Sequence, residues 1–268
     1  MRKFMIFAVG ILFMFSTSAV AFAAGDLTCW FPPGWKTKAK QAKAITDALS
    51  EKSGLAIKPR IAKSYPEILK AFDSDKQSLV YVGSFVQAII NARGIGQTLV
   101  QSVTGKELYS GVMIYPKGQD PEAILKNHPD RFAYAVGASS GESSAKAATG
   151  GKASVRTPNH GVTAGAVKAG KAKAGVVKNW WWEANKAKYP ELDAYLMPGV
   201  SEAKNPDNVL TASQAVPDDV RQKVTDAAKA SKDVFGAKEM RPFDTAGLQF
   251  TLDLMKKGGI DPNSYSWN

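Results

Sequence analysis

The 268-residue chain carries 35 Lys and Arg against 24 Asp and Glu, a formal charge of +11, with one cysteine and two histidines. A lone cysteine excludes an internal disulfide, and no metal-ligand spacing surrounds it, so stability has to come from packing and neither metal nor cofactor is expected. The positive surplus favours anionic partners by long-range attraction, but most lysines lie in alanine-rich runs that read as solvated helix faces, and no nucleic-acid-binding signature accompanies them.

At the N-terminus, Arg2 and Lys3 precede an apolar run over 4–15 that is too short for a membrane span, and Ala21-Phe22-Ala23 has the small-x-small pattern of a cleavage site. Residues 1–24 are therefore expected to be a secretory signal, leaving a soluble exported protein with no membrane insertion. Asp26, Leu27 and Thr28 lack the small apolar approach of a lipid-anchored cysteine at Cys29.

Leu27 opens a first strand that Pro32-Pro33-Gly34 stops, and residues 36–52 repeat Ala, Ile and Leu at helical spacing up to Gly54. Residues 56–61 read as a second strand. Ser64-Tyr65-Pro66-Glu67 then supplies a cap, a proline in the first turn and an early acid, leading a helix into the apolar residues 68–72. A buried strand over 78–82, the turn Gly83-Ser84 and a short helix through 87–91 come next. Strands follow at 97–103 and 109–115, the latter carrying the chain into a second lobe. Strand and helix alternate again over 130–195, residues 208–213 form the strand of return, and helices at 218–232 and 245–257 close the chain. This alternation predicts an α/β protein with no internal repeat and no low-complexity linker.

The chemistry lies in the middle of the chain. The strand that starts at Phe132 runs into Ser139-Ser140-Gly141, and Pro158-Asn159-His160-Gly161 repeats the arrangement further on. Each segment ends a strand in small hydroxyl or amide residues and opens a helix, which aims backbone N–H groups at an anion. A tetrahedral oxyanion needs donors from several directions, and serine hydroxyls, helix-terminal amides, a tyrosine and an imidazole provide them. Trp180-Trp181-Trp182 offers flat faces for organic groups, but successive helical residues point about 100° apart, so only one or two can face one pocket; Trp180 is the candidate.

Gly137-Ala138-Ser139-Ser140-Gly141 also matches the Gly-x-Ser-x-Gly nucleophile elbow. That fold needs an acid and then a histidine late in the chain, whereas only His128 and His160 are present, with Glu142 as the nearby acid. A hydrolase with Ser139 as nucleophile is disfavoured.

In their order along the chain, Ser64-Tyr65-Pro66-Glu67-Ile68, Val80-Tyr81-Val82-Gly83-Ser84-Phe85, the strand at 112–115, Ser139-Ser140-Gly141 and the run from Asn159 to Ala164 resemble the phosphate, phosphite and phosphonate substrate-binding proteins of ABC importers. The resemblance spans residues 56–216. It implies a type 2 periplasmic-binding-protein fold, two α/β lobes joined by crossover strands around a ligand cleft, with lobe 1 at 25–109 plus 207–268 and lobe 2 at 110–206. By position, Tyr65 matches a ligand-facing tyrosine at a helix start, and Ser139 and Ser140, followed by Gly141, fall on the family's Ser-Thr-Ser turn. His160 matches the histidine of a Ser-His helix start, and Tyr81–Ser84 resembles an aromatic-x-Gly-Pro turn with Ser84 in place of proline. The candidate ligand-binding set is thus Tyr65, Tyr81, Ser139, Ser140, Gly141, His160 and Trp180, with no catalytic residue.

Where relatives that bind amino-phosphonates place an acid, this chain reads Lys178-Asn179-Trp180, with Glu183 shifted onward, so an aminoalkyl phosphonate is disfavoured. The implied protein is a periplasmic monomer that captures a small oxyanion for an ABC permease in the inner membrane. Two alternatives keep the same fold: a sensor subunit that hands its ligand to a sensor kinase, and a binder of another organic anion such as a sulfonate.

Overall fold

The structure, a computed structural model, describes residues 27–266; the signal expected at 1–24 lies outside the described residues. The first lobe is entered through β1 (Leu27–Phe31), β2 (Ile57–Ile61), β3 (Ser78–Val82) and β4 (Gly96–Val103). A short β5 (Leu108–Tyr109) leads to the second lobe, which holds β6 (Gly111–Pro116), β7 (Phe132–Ala135), β8 (Val155–Thr157), β9 (Ala174–Lys178) and β10 (Leu192–Tyr195). The chain returns through β11 (Asn205–Pro206) to β12 (Val209–Ser213) and β13 (Glu239–Pro242).

The helices are α1 (Ala39–Ser53), α2 (Tyr65–Phe72), α3 (Ser84–Ala92), α4 (Pro121–Asn127), α5 (Ser144–Ala148), α6 (His160–Lys168), α7 (Asn179–Asn185), α8 (Asp218–Ala230) and α9 (Gln249–Lys257). The expected helix at 36–52 begins instead with a 3-10 turn over Pro33–Lys38, whose N-terminus has no side-chain cap, and it ends at Gly54 with φ 71°, a left-handed position suited to glycine. The expected continuous strand at 109–115 is split between β5 and β6, because the two halves pair with different partners.

The strands form a six-stranded sheet in the order β13-β4-β12-β3-β1-β2 and a five-stranded sheet in the order β10-β6-β9-β7-β8. Each sheet is covered on both faces. Along β1 and β3, Cys29, Phe31, Leu79 and Tyr81 enter one apolar cluster, while Trp30, Val80 and Val82 enter the other, as the two-residue period of a strand requires. In the second sheet Met113, Tyr134 and Val176 take one face, and Val112, Ile114, Ala133 and Val177 the other. Such two-sided burial suits the apolar run of β3, and β1–β3 and β1–β2 pair in parallel.

β5 and β11 pair antiparallel, with Tyr109 opposite Asn205, and make a two-stranded crossover. Gln101 pins it by donating to the carbonyls of Glu107 and Asp207 at 3.1 and 2.9 Å. Residues 207–268 were expected to sit with lobe 1, yet α9 enters both cores: Met255 packs with Phe85 and Ile89, and Leu254 with Met113 and Phe132.

The parallel strands decide where a ligand would go. β1, β2 and β3 run in parallel in one sheet, as do β7, β8 and β9 in the other, and in open α/β sheets the turns beyond the carboxyl ends of such strands form the binding crevice. Tyr65 and Gly83 follow β2 and β3. Gly137 to Ser140, Asn159-His160 and Lys178 sit at or beyond the ends of β7, β8 and β9.

Candidate functional site

Tyr65 is the first residue of α2, preceded by Ser64 and followed by Pro66 at a position where a missing N–H costs nothing. Glu67 fixes this entry, accepting from the Lys63 amide at 2.7 Å and pairing with Arg60 at 3.1 Å. From the other lobe, Gly137 approaches Tyr65 so closely that a Cβ added there would lie 2.6 Å from the tyrosine Cβ. Gly137 also has φ +75°. Glycine is required twice over, by the left-handed turn and by the approach of Tyr65.

The turn after Gly137 is held from below by Glu142. This buried carboxylate accepts from the Gly137 amide at 2.8 Å and from the Tyr265 hydroxyl at 2.7 Å, and Lys146 lies 3.4 Å from its second oxygen. Five residues from Ser139 to Ser143 form a wide π-type turn before the short α5. Gly141 is needed for packing, since a Cβ would meet the Ala135 carbonyl at 2.8 Å. Ser140 is buried and its Oγ is 3.4 Å from His160 Nε2. The side chain of Ser139 lies outside what the structure describes.

His160 starts α6, capped by Asn159, whose side chain accepts from the Val162 amide at 3.0 Å. Burial, followed by the nearby charge of Lys178, lowers its pKa to about 3, so the ring is neutral and presents one N–H donor. Its Nδ1 is buried with no hydrogen-bond partner among the described residues. A neutral imidazole with an unsatisfied nitrogen is suited to receive or offer a hydrogen bond to a ligand.

Three residues that the sequence reading left out of the site gather beside Gly83. Tyr109 on the crossover lies with its hydroxyl 3.0 Å from Ser84 Oγ. Asp207 stands beside it; a Cβ added to Gly83 would fall 2.9 Å from both Asp207 Oδ1 and the Tyr109 hydroxyl. Lys178, at the end of β9, is ion-paired with Asp207 and sits 4.2 Å from the centre of the Tyr109 ring. Burial raises the pKa of Tyr65, and the charges of Tyr109 and Asp207 add to the rise, so the phenol stays protonated and able to donate. The signal for Tyr109 and Asp207 was their place at the two crossovers, where the chain changes lobes; no local motif marks either.

Tyr65 therefore stands against Gly137, at the head of the turn that carries Ser140, and Ser140 stands beside His160. Tyr81 does not join them: its ring packs against Phe31, Trp35 and Phe235 and its hydroxyl bonds Ser102, all within the first core. Trp180 turns to the crossover, where its indole N–H donates to the Leu108 carbonyl at 3.2 Å and Lys106 lies 5.2 Å over its ring. Trp181, one helical step on, is the tryptophan beside His160, with ring centres 6.0 Å apart, and Trp182 is buried in the core. The 100° step between helical neighbours separates the three roles.

Comparison with known proteins identifies the family and the fold. Residues 36–251 match the family described as ABC transporter, phosphonate, periplasmic substrate-binding protein. Among solved structures, PhnD1 from Prochlorococcus marinus in complex with methylphosphonate is 15% identical, with a TM-score of 0.67 over 87% of this chain and 97% of that one. A binding-protein component of an ABC phosphonate transporter from Pseudomonas aeruginosa is also 15% identical, with a TM-score of 0.67 over 87% of each chain. A Xanthomonas citri protein bound to ATP has a TM-score of 0.68 at 12% identity, covering 87% of this chain and 97% of its own. No curated protein matches the chain. With two α/β lobes, a double crossover and a family match that runs through both lobes, this chain belongs to the periplasmic substrate-binding proteins of phosphonate ABC transporters.

Proposed function

We propose that the protein binds a small tetrahedral oxyanion of the phosphate, phosphite or phosphonate type in the hollow between its lobes and delivers it to an ABC permease. The observation that carries this reading is the contact of Tyr65 from one lobe with Gly137 of the other, at the head of the turn whose Ser140 reaches His160 at the start of α6. Tyr65 and Ser140 hydroxyls, the His160 N–H and the first-turn amides of α6 would surround the anion with donors that need little rearrangement.

The contact of Tyr65 with Gly137 supports a closed arrangement of the lobes. Ligand contacts made by both lobes would favour this arrangement over an open one, and the permease would read the difference. Export to the periplasm through the segment at 1–24 fits the family. Among the described residues no helix is long and apolar enough to cross a membrane.

Binding without turnover fits the polar network. Hydrolysis through a serine would need a carboxylate to orient His160, but Glu142 already serves Gly137, Tyr265 and Lys146, and Asp207 is paired with Lys178. The test is a thermal-shift panel of phosphate, phosphite, methylphosphonate, sulfate and an aromatic sulfonate. A ligand that prefers the native state raises the melting temperature, and the rise grows with the logarithm of its concentration relative to its dissociation constant. A rise with one of the first three supports the reading. A rise with the sulfonate alone replaces it by the organic-anion alternative.

A further inference from the structure

The ion pair between Lys178 and Asp207 lies inside the donor cluster, and the oxyanion reading above does not require it. Lys178 terminates a central strand of the second sheet and is the residue preceding α7, so its backbone is fixed from both sides. Asp207 follows the second crossover strand, with its amide donating to the Glu107 carbonyl at 2.8 Å. The two side chains are only 21% and 16% exposed. The ammonium also lies over the Tyr109 ring, whose hydroxyl reaches Ser84, and it is near enough to His160 to act on that imidazole.

A carboxylate beside an aromatic face is what a ligand's own ammonium group would need. Here both elements already serve a side chain of the protein. The charges facing one another are Lys178 and Asp207, with His160, Tyr65 and Tyr109 around them.

Resting on the oxyanion reading of the cleft, we propose that Lys178 is its specificity-determining residue. Its ammonium is a built-in counter-cation that neutralises Asp207 and occupies the cation position over Tyr109. The site therefore takes a compact oxyanion that carries no amine and refuses an aminoalkyl phosphonate. Removing the ammonium exposes Asp207 as an uncompensated negative charge beside the anion, which weakens binding of methylphosphonate and opens the same carboxylate and ring to a ligand amine.

The experiment is titration calorimetry of the full mature protein with methylphosphonate and with 2-aminoethylphosphonate. The proteins are the wild type, Lys178→Met, Asp207→Asn and the double variant, with folding followed by circular dichroism. The wild type is expected to prefer methylphosphonate by about tenfold or more. Lys178→Met should move that ratio at least about tenfold toward the amine ligand, and adding Asp207→Asn should restore methylphosphonate binding and abolish the gain. Asp207→Asn alone should tighten methylphosphonate binding, and it decides the question if Lys178→Met fails to fold.

An unchanged ratio in folded Lys178→Met overturns the assignment, as does a wild type that binds both ligands equally or an Asp207→Asn protein with unaltered affinity. Those results leave the oxyanion site standing. A wild type that binds neither phosphonate, phosphate nor phosphite overturns the site itself and this inference with it.

Discussion

Gly137→Ala separates the cost of folding from the cost of closing. The backbone at Gly137 has φ +75°, so any L side chain there carries a left-handed penalty of about 1–2 kcal/mol whatever the lobes do. That part appears as lost stability of the unliganded protein. The second part depends on Tyr65, whose Cβ would lie 2.6 Å from the new methyl group, well inside van der Waals contact. Both atoms are anchored directly to backbone, one in each lobe, so rotamer change cannot relieve the overlap.

Overpacking of this kind costs about 1–3 kcal/mol, and it is felt only when Tyr65 and Gly137 are together. Affinity should therefore fall by about 5- to 150-fold beyond any effect on unfolding. Titration calorimetry with methylphosphonate gives the affinity, and thermal denaturation without ligand gives the stability. A dissociation constant within twofold of wild type, in a variant whose melting temperature has dropped, would show that Tyr65 and Gly137 do not meet in the liganded state and would refute the closure argument.

Other outcomes follow from the same geometry. Ser140→Ala should weaken oxyanion binding by about 1–3 kcal/mol, the range for a hydrogen bond to a charged group, as read by calorimetry; equal affinity removes Ser140 from the ligand contacts. His160 has a folded pKa depressed to about 3 from an ordinary 6.5, so its contribution to stability is full above pH 6.5 and is lost as the pH falls toward 3. Denaturant titrations of wild type and His160→Gln between pH 7 and pH 4 should diverge with a slope of at most about 1.4 kcal/mol per pH unit, and parallel curves contradict the assigned shift. Tyr81→Phe should cost about 1 kcal/mol of stability by removing its hydrogen bond with Ser102, whose hydroxyl keeps the Asn208 carbonyl, while ligand affinity stays unchanged; a large affinity loss would place Tyr81 in the site after all.

Much of the local structure could be read from the chain itself. Strand periodicity and turn residues located β1, β3 and β7, and the Ser-Ser-Gly and Asn-His-Gly turns stood out because capping and anion binding use the same residue types at helix starts. The helix start at Tyr65 was legible through Pro66 and Glu67, although Ser64 makes no side-chain cap and Glu67 accepts from the Lys63 amide instead. Tyr81 and Trp180 mark the limit of that reading. An aromatic residue near the end of a strand points either to the core or to the cleft by one residue of register, and one helical step decides which of three tryptophans stands beside His160.

What the amino-acid order determined was local: where elements start, which turns expose amides, and that the surplus charge is positive. The tertiary structure alone decided which side chains gather at the crossover. Tyr109, Lys178 and Asp207 come from two crossovers and the end of a central strand, with no shared motif, and only the return of the chain through β11 puts a carboxylate under an ammonium and a phenol ring. Long-range pairing sets such contacts, because the sequence separation between partners is not encoded by either neighbourhood, and the glycines at 83 and 137 acquire their meaning only when a distant side chain fills the space beside them.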